Sequence, residues 1–455
     1  MATKKNSKAP AKRPATDIPM ANIQSSRPSR RAVIVDGTRT PFAKSFGEYT
    51  KLSTFDLANR AVEGLLKQSE LDPKEIDEVI WGGVVLPAGT PNIARELVLD
   101  LKLPNTIPGF TVTRACASGL QAITSAVSAI ERGDADVIIC GGSDSTSNAE
   151  VTLPNKVVHA LAPYALGGKG IKPADVLGIL AQLMPLNEII PSMPKVAERS
   201  TGEVMGQSAE RMAKRNGISR QDQDELTFRS HQRAAAAYES GRFEKEITPV
   251  EVAPGKWVHT DTLLRASTTV EALGKLRPVF AKDGTLTAGN STALTDGGAA
   301  VLIMSEEKAR ALGYTPRAAV RSWDYCAVDP RDQLLMGPAI SIPRALQKAG
   351  LTMQSVGLVD IHEAFAAQVL SVLKMMDSKA FCQERLGLSQ AVGIPDLDKF
   401  NVRGGSLALG HPFAATGARI VTTMANELVL SDKETAVIGI CAAGGIGAAA
   451  VLERV

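Results

Sequence analysis

The sequence repeats one local arrangement at two distant places. An apolar strand runs into a small-residue turn bearing a reactive side chain, then into a helix with one apolar face, then into a second strand. The first copy covers residues 110–142 and the second covers residues 400–441. Units of this kind bury their helices against the faces of a shared sheet. The repeat therefore predicts an α/β fold of two similar halves, each presenting a reactive residue at a turn.

The region between the copies has a different pattern. It contains several prolines and two long helical patterns, at 203–215 and 221–238, with few strand signals. We interpret it as an insertion into the first half, which resumes at Gly284–Asn290. The predicted organisation is an N-terminal arm (1–30), a first half (31–148 with 278–308), an inserted loop domain (149–277) and a second half (309–455).

The charge is unevenly distributed along the chain. The formal net charge is +3, but the first 31 residues alone carry +7, which leaves −4 on the rest. The rest of the chain is mildly acidic, and only 4% of all residues are aromatic, so the sequence lacks the features of a nucleic-acid-binding protein. The arm is rich in Ala, Pro and Ser and is predicted to be disordered. It lacks the apolar face of a mitochondrial import signal, so a cytoplasmic location is expected.

Two apolar segments need an explanation. Ala436–Leu452 contains four glycines and is shorter than the roughly 20 residues of a membrane span, which indicates a buried strand and turn. Pro173–Ile190 is too apolar for a solvated helix face. It is either core of the inserted domain or a contact surface for a partner subunit or a membrane.

The five cysteines differ in their surroundings. An odd number without a preceding signal sequence favours a reducing compartment with free thiols. Cys116 lies where a strand turns into a helix, and the helix dipole would favour its thiolate; the alternative is a small core residue. Cys441 ends a strand before glycines, whereas Cys140, Cys326 and Cys382 are predicted to be structural.

His411 occupies the matching corner of the second copy. It lies between Gly410 and Pro412, in a turn whose small residues let a ligand approach. Two thiols and an imidazole at equivalent corners suit a nucleophile, its base and a second acid/base group. No Cys-x-x-Cys or His-x-x-x-His pair accompanies them, so no metal site is predicted.

Together the motifs resemble the thiolase family in order and spacing, over residues 31–455. They are Arg114-Ala-Cys-Ala-Ser-Gly119, Gly284–Asn290, Asp296-Gly297, His362-Glu-Ala-Phe365, Gly410-His-Pro412 and Cys441-x-x-Gly-Gly445. The His-Glu-Ala-Phe form and Asn401-Val-x-Gly-Gly-Ser406 look most similar to the fatty-acid-oxidation 3-ketoacyl-CoA thiolases, which pair with a hydratase/dehydrogenase α-subunit. The implied architecture is two stacked thiolase halves with an inserted loop domain.

The resemblance implies a role for each reactive residue. Cys116 would carry the acyl group, His411 would take its proton and help hold the thioester oxyanion, and Cys441 would shuttle a proton to and from the acetyl methyl carbon. His362 stands where most thiolases have Asn, and would donate an N–H to the enolate oxygen. A second oxyanion hole would use the backbone N–H groups of Cys116 and Ala443. Ala443 stands where the family usually has Gly, so its backbone N–H can serve as this donor only if the φ angle of Ala443 is negative.

The implied substrates are coenzyme A and acyl-CoA, with no permanently bound cofactor. Arg265 would meet the nucleotide phosphates, where a guanidinium suits phosphate oxygens. Thr292 would lie near the pantetheine, and Met205 would line the acyl pocket. Val204 replaces a His of some short-chain members, which disfavours a purely acetoacetyl-CoA enzyme.

The predicted function is CoA-dependent cleavage of 3-ketoacyl-CoA to acetyl-CoA and a shortened acyl-CoA in fatty-acid β-oxidation. An acetoacetyl-CoA thiolase working in the synthetic direction is one alternative, and a non-catalytic acyl-CoA- or lipid-binding relative is another. Cys441 disfavours a decarboxylating ketosynthase, which needs no second acid/base Cys. A homodimer or homotetramer is expected.

Overall fold

The computed structural model describes residues 30–165, 170–191 and 197–455. The predicted arm lies outside the described residues, apart from Arg30. The strands are β1 Ala32–Arg39, β2 Ala43–Lys44, β3 Glu78–Gly82, β4 Gly109–Val112, β5 Val137–Asp144, β6 Val250–Ala253, β7 Lys256–Val258, β8 Thr295–Ser305, β9 Ala318–Ala327, β10 Leu358–Ile361, β11 Thr435–Ala442 and β12 Ile446–Arg454. The helices are α1 Thr54–Ser69, α2 Ile93–Asp100, α3 Ser118–Arg132, α4 Asn155–Ala165, α5 Pro173–Leu183, α6 Met205–Asn216, α7 Arg220–Glu239, α8 Val270–Gly274, α9 Glu306–Ala311, α10 Pro330–Gln333, α11 Pro338–Lys348, α12 Ala366–Met376, α13 Lys379–Leu386, α14 Ser406–Leu409 and α15 Ala414–Leu430, with 3₁₀ turns at Pro73–Glu75 and Leu186–Glu188.

The sheet shows the duplication directly. In the first half, β3, β5, β8 and β1 are neighbours, paired parallel, antiparallel and antiparallel. In the second half, β10, β11, β12 and β9 follow the same order with the same orientations. The halves meet at β1 and β9, through the pairs Val33–Ala319 and Ile34–Ala318. The predicted α/β fold of two similar halves is confirmed.

The helices complete a layered arrangement. Apolar residues of α3 and α15 share one core cluster with one face of the strands of both halves. The opposite face of the first half packs with α1 and α2, and that of the second half with α6, α11 and α12. Strand residues alternate between the two clusters on either side, as a sheet buried on both faces requires. The central pair, α3 and α15, thus lies between the halves and follows both reactive turns.

Glycines allow α3 and α15 to approach at their first turns. A Cβ atom at Gly119 would lie 2.3 Å from the carbonyl oxygen of Ala414, and one at Gly417 would lie 2.5 Å from the backbone nitrogen of Leu120. Backbone atoms cannot rotate away as a flexible side chain can. These glycines therefore set the distance between the turns that carry Cys116 and His411.

We expect Gly119→Ala to lower the free energy of unfolding by about 1–3 kcal/mol, because the methyl group must push two helices apart. The matched control is Gly178→Ala in α5, where a Cβ would meet open space. That change should leave stability unchanged or raise it by up to about 1 kcal/mol through helix propensity. Denaturant unfolding of both variants makes the comparison, and equal midpoints for Gly119→Ala and the parent would contradict the packing argument.

Two sequence-based strand assignments need correction. The strand that begins the second copy of the repeat, at residues 400–403, does not form. Phe400 makes an isolated bridge to Val359 of β10, and Val402 makes one to the nearby Gly404. Between them, Asn401 has a φ of 44°, and its side chain binds the backbone N–H and carbonyl of Ile361 instead. The predicted strand and turn of Ala436–Leu452 is a pair of antiparallel strands, β11 and β12.

The inserted region has the two predicted helices, as α6 and α7, and a small β6–β7 sheet. The hydrophobic-core interpretation of Pro173–Ile190 is wrong, because Ile179 is the only buried residue of α5. Leu177 is 79% exposed and Leu180 is 52% exposed. Within the described ranges, none of the helices has the length and apolar character needed to cross a membrane.

Candidate active site

Cys116 lies in the turn between β4 and α3. Ala115, just before it, has a φ of 45°, a backbone conformation that few residues other than glycine adopt. The Ser118 hydroxyl closes the turn, because it accepts from the N–H of Arg114 and donates to the carbonyl of Ala115, both at 2.7 Å. The turn holds the half-buried Cys116 just before the first residue of the helix.

His411 lies at the equivalent turn before α15. Its backbone N–H donates to the hydroxyl of Thr295 at 2.7 Å, and its Nδ1 lies 2.6 Å from the hydroxyl of Thr416. Phe413 has a φ of 26°, and its ring lies edge-on to the imidazole, with 5.4 Å between the two ring centroids. The backbone of His411 is therefore held by Thr295, and its imidazole is held by the Thr416 hydroxyl and the Phe413 ring.

The other two predicted residues lie on neighbouring strands. His362 directly follows β10, and its backbone N–H donates to the carbonyl of Gly439 in β11 at 2.8 Å. Its Nδ1 lies 2.9 Å from the hydroxyl of Ser406. Cys441 is buried near the end of the same β11, paired with Gly447 of β12.

The structure brings the four reactive side chains together. The rings of His362 and His411 are 4.1 Å apart between centroids. The two thiols of Cys116 and Cys441 are close enough for the first to raise the pKa of the second. The close approach of α3 and α15 places the Cys116 turn beside the His411 turn.

Both imidazoles leave one nitrogen for a ligand. Each Nδ1 is engaged by a hydroxyl, as described above. The Nε2 atoms of His362 and His411 are buried, yet neither has a hydrogen-bond partner among the described residues. Unpaired buried polar atoms cost free energy unless something else satisfies them. A substrate oxygen placed between the two Nε2 atoms would do so.

Burial favours the uncharged form of each of the four reactive side chains. Burial raises the pKa of Cys116 to about 12, an effect that hydrogen bonding to the backbone of Ala443 only partly offsets. Burial also raises the pKa of Cys441 well above its usual value, and lowers that of His411 to about 3 and that of His362 well below its usual range. Burial thus acts against the thiolate that the helix dipole is expected to favour at Cys116.

The turn after Cys441 completes the donor set. The N–H of Ala443 lies within hydrogen-bonding reach of the Cys116 sulfur. Ala443 is not among the residues with positive φ, so its backbone N–H remains available as a donor although Ala replaces the usual Gly. The following N–H, that of Gly444, donates to Glu198 of the inserted region at 2.9 Å. The inserted region thus holds this turn in place.

The predicted substrate contacts have different surroundings. The Thr292 hydroxyl donates to the carbonyl of Ser406 at 2.7 Å, so it lies beside the His362 site. Met205 is the first residue of α6 and packs on the core cluster that contains Phe365 and Cys441. Arg265 is exposed in the inserted region, with its backbone N–H donating to His231.

Two family models cover nearly all of the described fold. The model of the thiolase N-terminal domain matches residues 32–307, and that of the thiolase C-terminal domain matches residues 314–454. The chain belongs to the thiolase family. The first family model ends within α9, and the second begins shortly before β9, the first strand of the second half.

Other thiolases resemble the chain over almost its full length. The 3-ketoacyl-CoA thiolase of Shewanella woodyi is 44% identical over 425 residues, 93% of this chain and 97% of its own. Human mitochondrial 3-ketoacyl-CoA thiolase is 32% identical with a TM-score of 0.77, covering 93% of this chain and 99% of its own. The Bacillus anthracis acetyl-CoA acetyltransferase is also 32% identical with a TM-score of 0.77, covering 94% and 99%.

Sequence reasoning missed the residues that support this thiolase site. Asp144, at the end of β5, accepts from the N–H groups of Ala414, Val84 and Val85, and so ties the first turn of α15 to the first half. Glu363 accepts from the side chains of Ser230 and Asn401 at 2.7 Å each. Both carboxylates are buried, and burial is the property that the sequence alone does not display.

Proposed function

We propose that this thiolase cleaves 3-ketoacyl-CoA through an acyl group carried on Cys116. As a thiolase of the fatty-acid-oxidation type, the chain is an acyltransferase that catalyses the reversible reaction of 3-ketoacyl-CoA with CoA to give acetyl-CoA and a shortened acyl-CoA. The observation that carries the mechanism is the pair of buried, unpartnered Nε2 atoms on two imidazole rings whose centroids lie 4.1 Å apart. Coenzyme A and acyl-CoA enter as substrates.

In the first half-reaction, the Cys116 sulfur attacks the 3-keto carbon while its proton passes to His411. The bond between C2 and C3 then breaks, which leaves the acyl group on Cys116 and the electron pair on the acetyl-CoA enolate. Cys441 gives its proton to the methylene carbon of that enolate. In the second half-reaction, the CoA thiol gives its proton to the Cys441 thiolate and attacks the thioester. The shortened acyl-CoA leaves, and His411 returns its proton to the Cys116 sulfur, which restores the resting enzyme.

The donors are arranged for the two negative oxygens that develop. His362 and His411 would direct their Nε2 atoms to the enolate oxygen, and the N–H groups of Cys116 and Ala443 would face the thioester oxygen. Donors aligned before the reaction stabilise such charge most where water is excluded. Burial lowers the pKa of His362, which favours a neutral ring there. His411 would donate from Nε2 once it has taken the proton of Cys116.

The length of the acyl chain that the enzyme prefers is a separate part of the proposal. Phe280 and Phe365 pack edge to face at 5.9 Å next to Met205, which supports an apolar acyl pocket. The similarity to the Bacillus anthracis acetyl-CoA acetyltransferase favours the second candidate, an acetoacetyl-CoA thiolase. We expect longer 3-ketoacyl-CoAs to give higher kcat/KM than acetoacetyl-CoA in a CoA-dependent cleavage assay. A preference for acetoacetyl-CoA would favour the second candidate.

The exposed face of α5 is proposed to contact a hydratase/dehydrogenase subunit. Leu177, Leu180 and Met184 are exposed by 79, 52 and 57%, and Val158 of the neighbouring α4 by 43%. Isolated exposed apolar residues are ordinary, but a contiguous apolar face indicates an interaction site. Self-association as a homodimer or homotetramer and a cytoplasmic location are further proposals.

We expect Leu180→Asp with Leu183→Asp to weaken co-purification with the co-expressed hydratase/dehydrogenase subunit, because two carboxylates would lose water on contact. Cleavage by the isolated chain should be unchanged. Ala181→Asp with Gln182→Asp adds the same charge to exposed positions of the same helix as a control. Undiminished association would contradict the proposal, and a loss of vesicle binding alone would identify a membrane contact instead.

A further inference from the structure

A polar chain behind His362 leads to a buried arginine on α15. The His362 Nδ1 lies 2.9 Å from the Ser406 Oγ, and the Ser406 Oγ lies 3.3 Å from the Nη2 of Arg419. Arg419 and Ser406 are both fully buried. The Arg419 Nη1 lies 3.8 Å from Asp360 of β10, the strand that ends just before His362.

The direction of the hydrogen bonds follows from the chemistry of the guanidinium. An arginine side chain carries only donors, so Nη2 donates and the Ser406 oxygen accepts. The hydroxyl proton of Ser406 is then available, and Nδ1 of His362 is its one acceptor within hydrogen-bond distance among the described residues. A neutral imidazole that accepts at Nδ1 carries its proton on Nε2.

The opposite tautomer would leave the hydroxyl proton of Ser406 unsatisfied. If His362 donated from Nδ1, the Ser406 oxygen would accept from both neighbours and its own hydroxyl proton would have no acceptor in the described site. The Nε2 atom would then carry a lone pair, and it could not donate to an enolate oxygen. Buried hydroxyl groups without a partner are disfavoured.

We propose that Arg419, acting through the hydroxyl of Ser406, fixes His362 as the neutral tautomer with its proton on the unpartnered Nε2. Ser406 and Arg419 are positioning residues, since neither touches the reacting atoms. The purpose of the fixed proton rests on the proposed function, in which Nε2 donates to the enolate oxygen. The direction of the hydrogen bonds does not depend on it.

The burial of the pair explains why an arginine fits this role. Arg419 and Asp360 lie on different elements, and their charges offset each other without contact with solvent. Burial is the main cause that lowers the pKa of His362, and the nearby His411 and the positive charge of Arg419 add to it. A doubly protonated ring, which would push the hydroxyl proton of Ser406 away, is disfavoured by the same side chain.

Nitrogen NMR of the full-length resting protein, labelled with ¹⁵N at its five histidines, tests the assignment without any turnover. A His362→Gln variant identifies the signals of His362. We expect a neutral ring with the proton on Nε2. A proton on Nδ1, or a doubly protonated ring at neutral pH, would overturn the proposal.

A kinetic test uses Ser406→Ala, with Ser322→Ala as the matched control. Ser322 is also buried and donates to a backbone carbonyl, that of Ala345, outside the site. We expect Ser406→Ala to lose at least about tenfold in kcat for cleavage, because the tautomer is no longer imposed. KM and Cys116 acylation by acyl-CoA should stay within about twofold, and Ser406→Thr should recover part of the loss.

Unchanged kcat in folded Ser406→Ala would contradict the proposal, as would equal losses in cleavage and in acylation. If the variant does not fold, the spectrum of the parent protein decides alone. A parent protein without cleavage activity but with His362 protonated on Nε2 would instead overturn the proposed function and leave this inference standing.

Discussion

Cys116→Ala is expected to abolish turnover, with a fall in kcat on the order of 10⁴-fold or more. We expect no replacement by Cys441, because that thiol is buried near the end of β11, outside the turn that carries the nucleophile. Cys441→Ala should also lose cleavage, since the enolate carbon then has no proton donor. It should nevertheless let Cys116 accept an acyl group from acyl-CoA, because that step needs only the nucleophile and its base.

Intact-protein mass spectrometry after incubation with acyl-CoA distinguishes the two variants. Cys441→Ala should gain the mass of one acyl group, and peptide mapping should place it on Cys116. Cys140→Ala is the matched control, since Cys140 is a buried thiol whose Sγ lies against the carbonyl of Val301, away from the site. Retained turnover in Cys116→Ala with acylation at Cys441 would reverse the two roles.

His362→Ala should lower the rate of cleavage by about 10²–10³, equivalent to roughly 2.7–4 kcal/mol, the usual effect of removing one oxyanion donor. The reason is that the enolate oxygen then faces only the Nε2 of His411. Acylation of Cys116 by acyl-CoA should change little, because that step develops its charge at the other oxyanion hole.

The conservative variant makes this result specific. His362→Asn removes the imidazole but keeps a side-chain donor, so it should recover part of the rate if a water enters the freed space. The two steps are measured separately, cleavage by release of acetyl-CoA and acylation by mass. A cleavage rate for folded His362→Ala within about threefold of the parent, about 0.65 kcal/mol, would show that His362 is no donor to the enolate.

Much of the fold could be predicted because its pattern is local. Helix α1 begins at Thr54 after the Ser53 cap, as the sequence indicates, and β11 follows its apolar run. The duplication was visible because both halves repeat the same strand, turn and helix. The missing strand at Phe400–Arg403 shows the limit, since the side chain of Asn401 takes over backbone partners that a strand would have used.

The site was predictable in its residues and not in its electrostatics. Motif positions identified Cys116 and His411, but the helix dipole suggested a thiolate where burial raises the pKa of Cys116 to about 12. The partners behind the imidazoles, Ser406 and Thr416, come from elsewhere in the chain or from the next helix turn. Such contacts depend on how the halves pack, which a single sequence does not show.

The most direct test of the account is the reaction of a purified, isolated chain with a 3-ketoacyl-CoA and free CoA. We predict that each molecule of 3-ketoacyl-CoA consumed yields one acetyl-CoA and one shortened acyl-CoA. Without CoA, the reaction should stop after a single turnover, which leaves the acyl group on Cys116. Binding of acyl-CoA without consumption would contradict the account and indicate a non-catalytic thiolase relative.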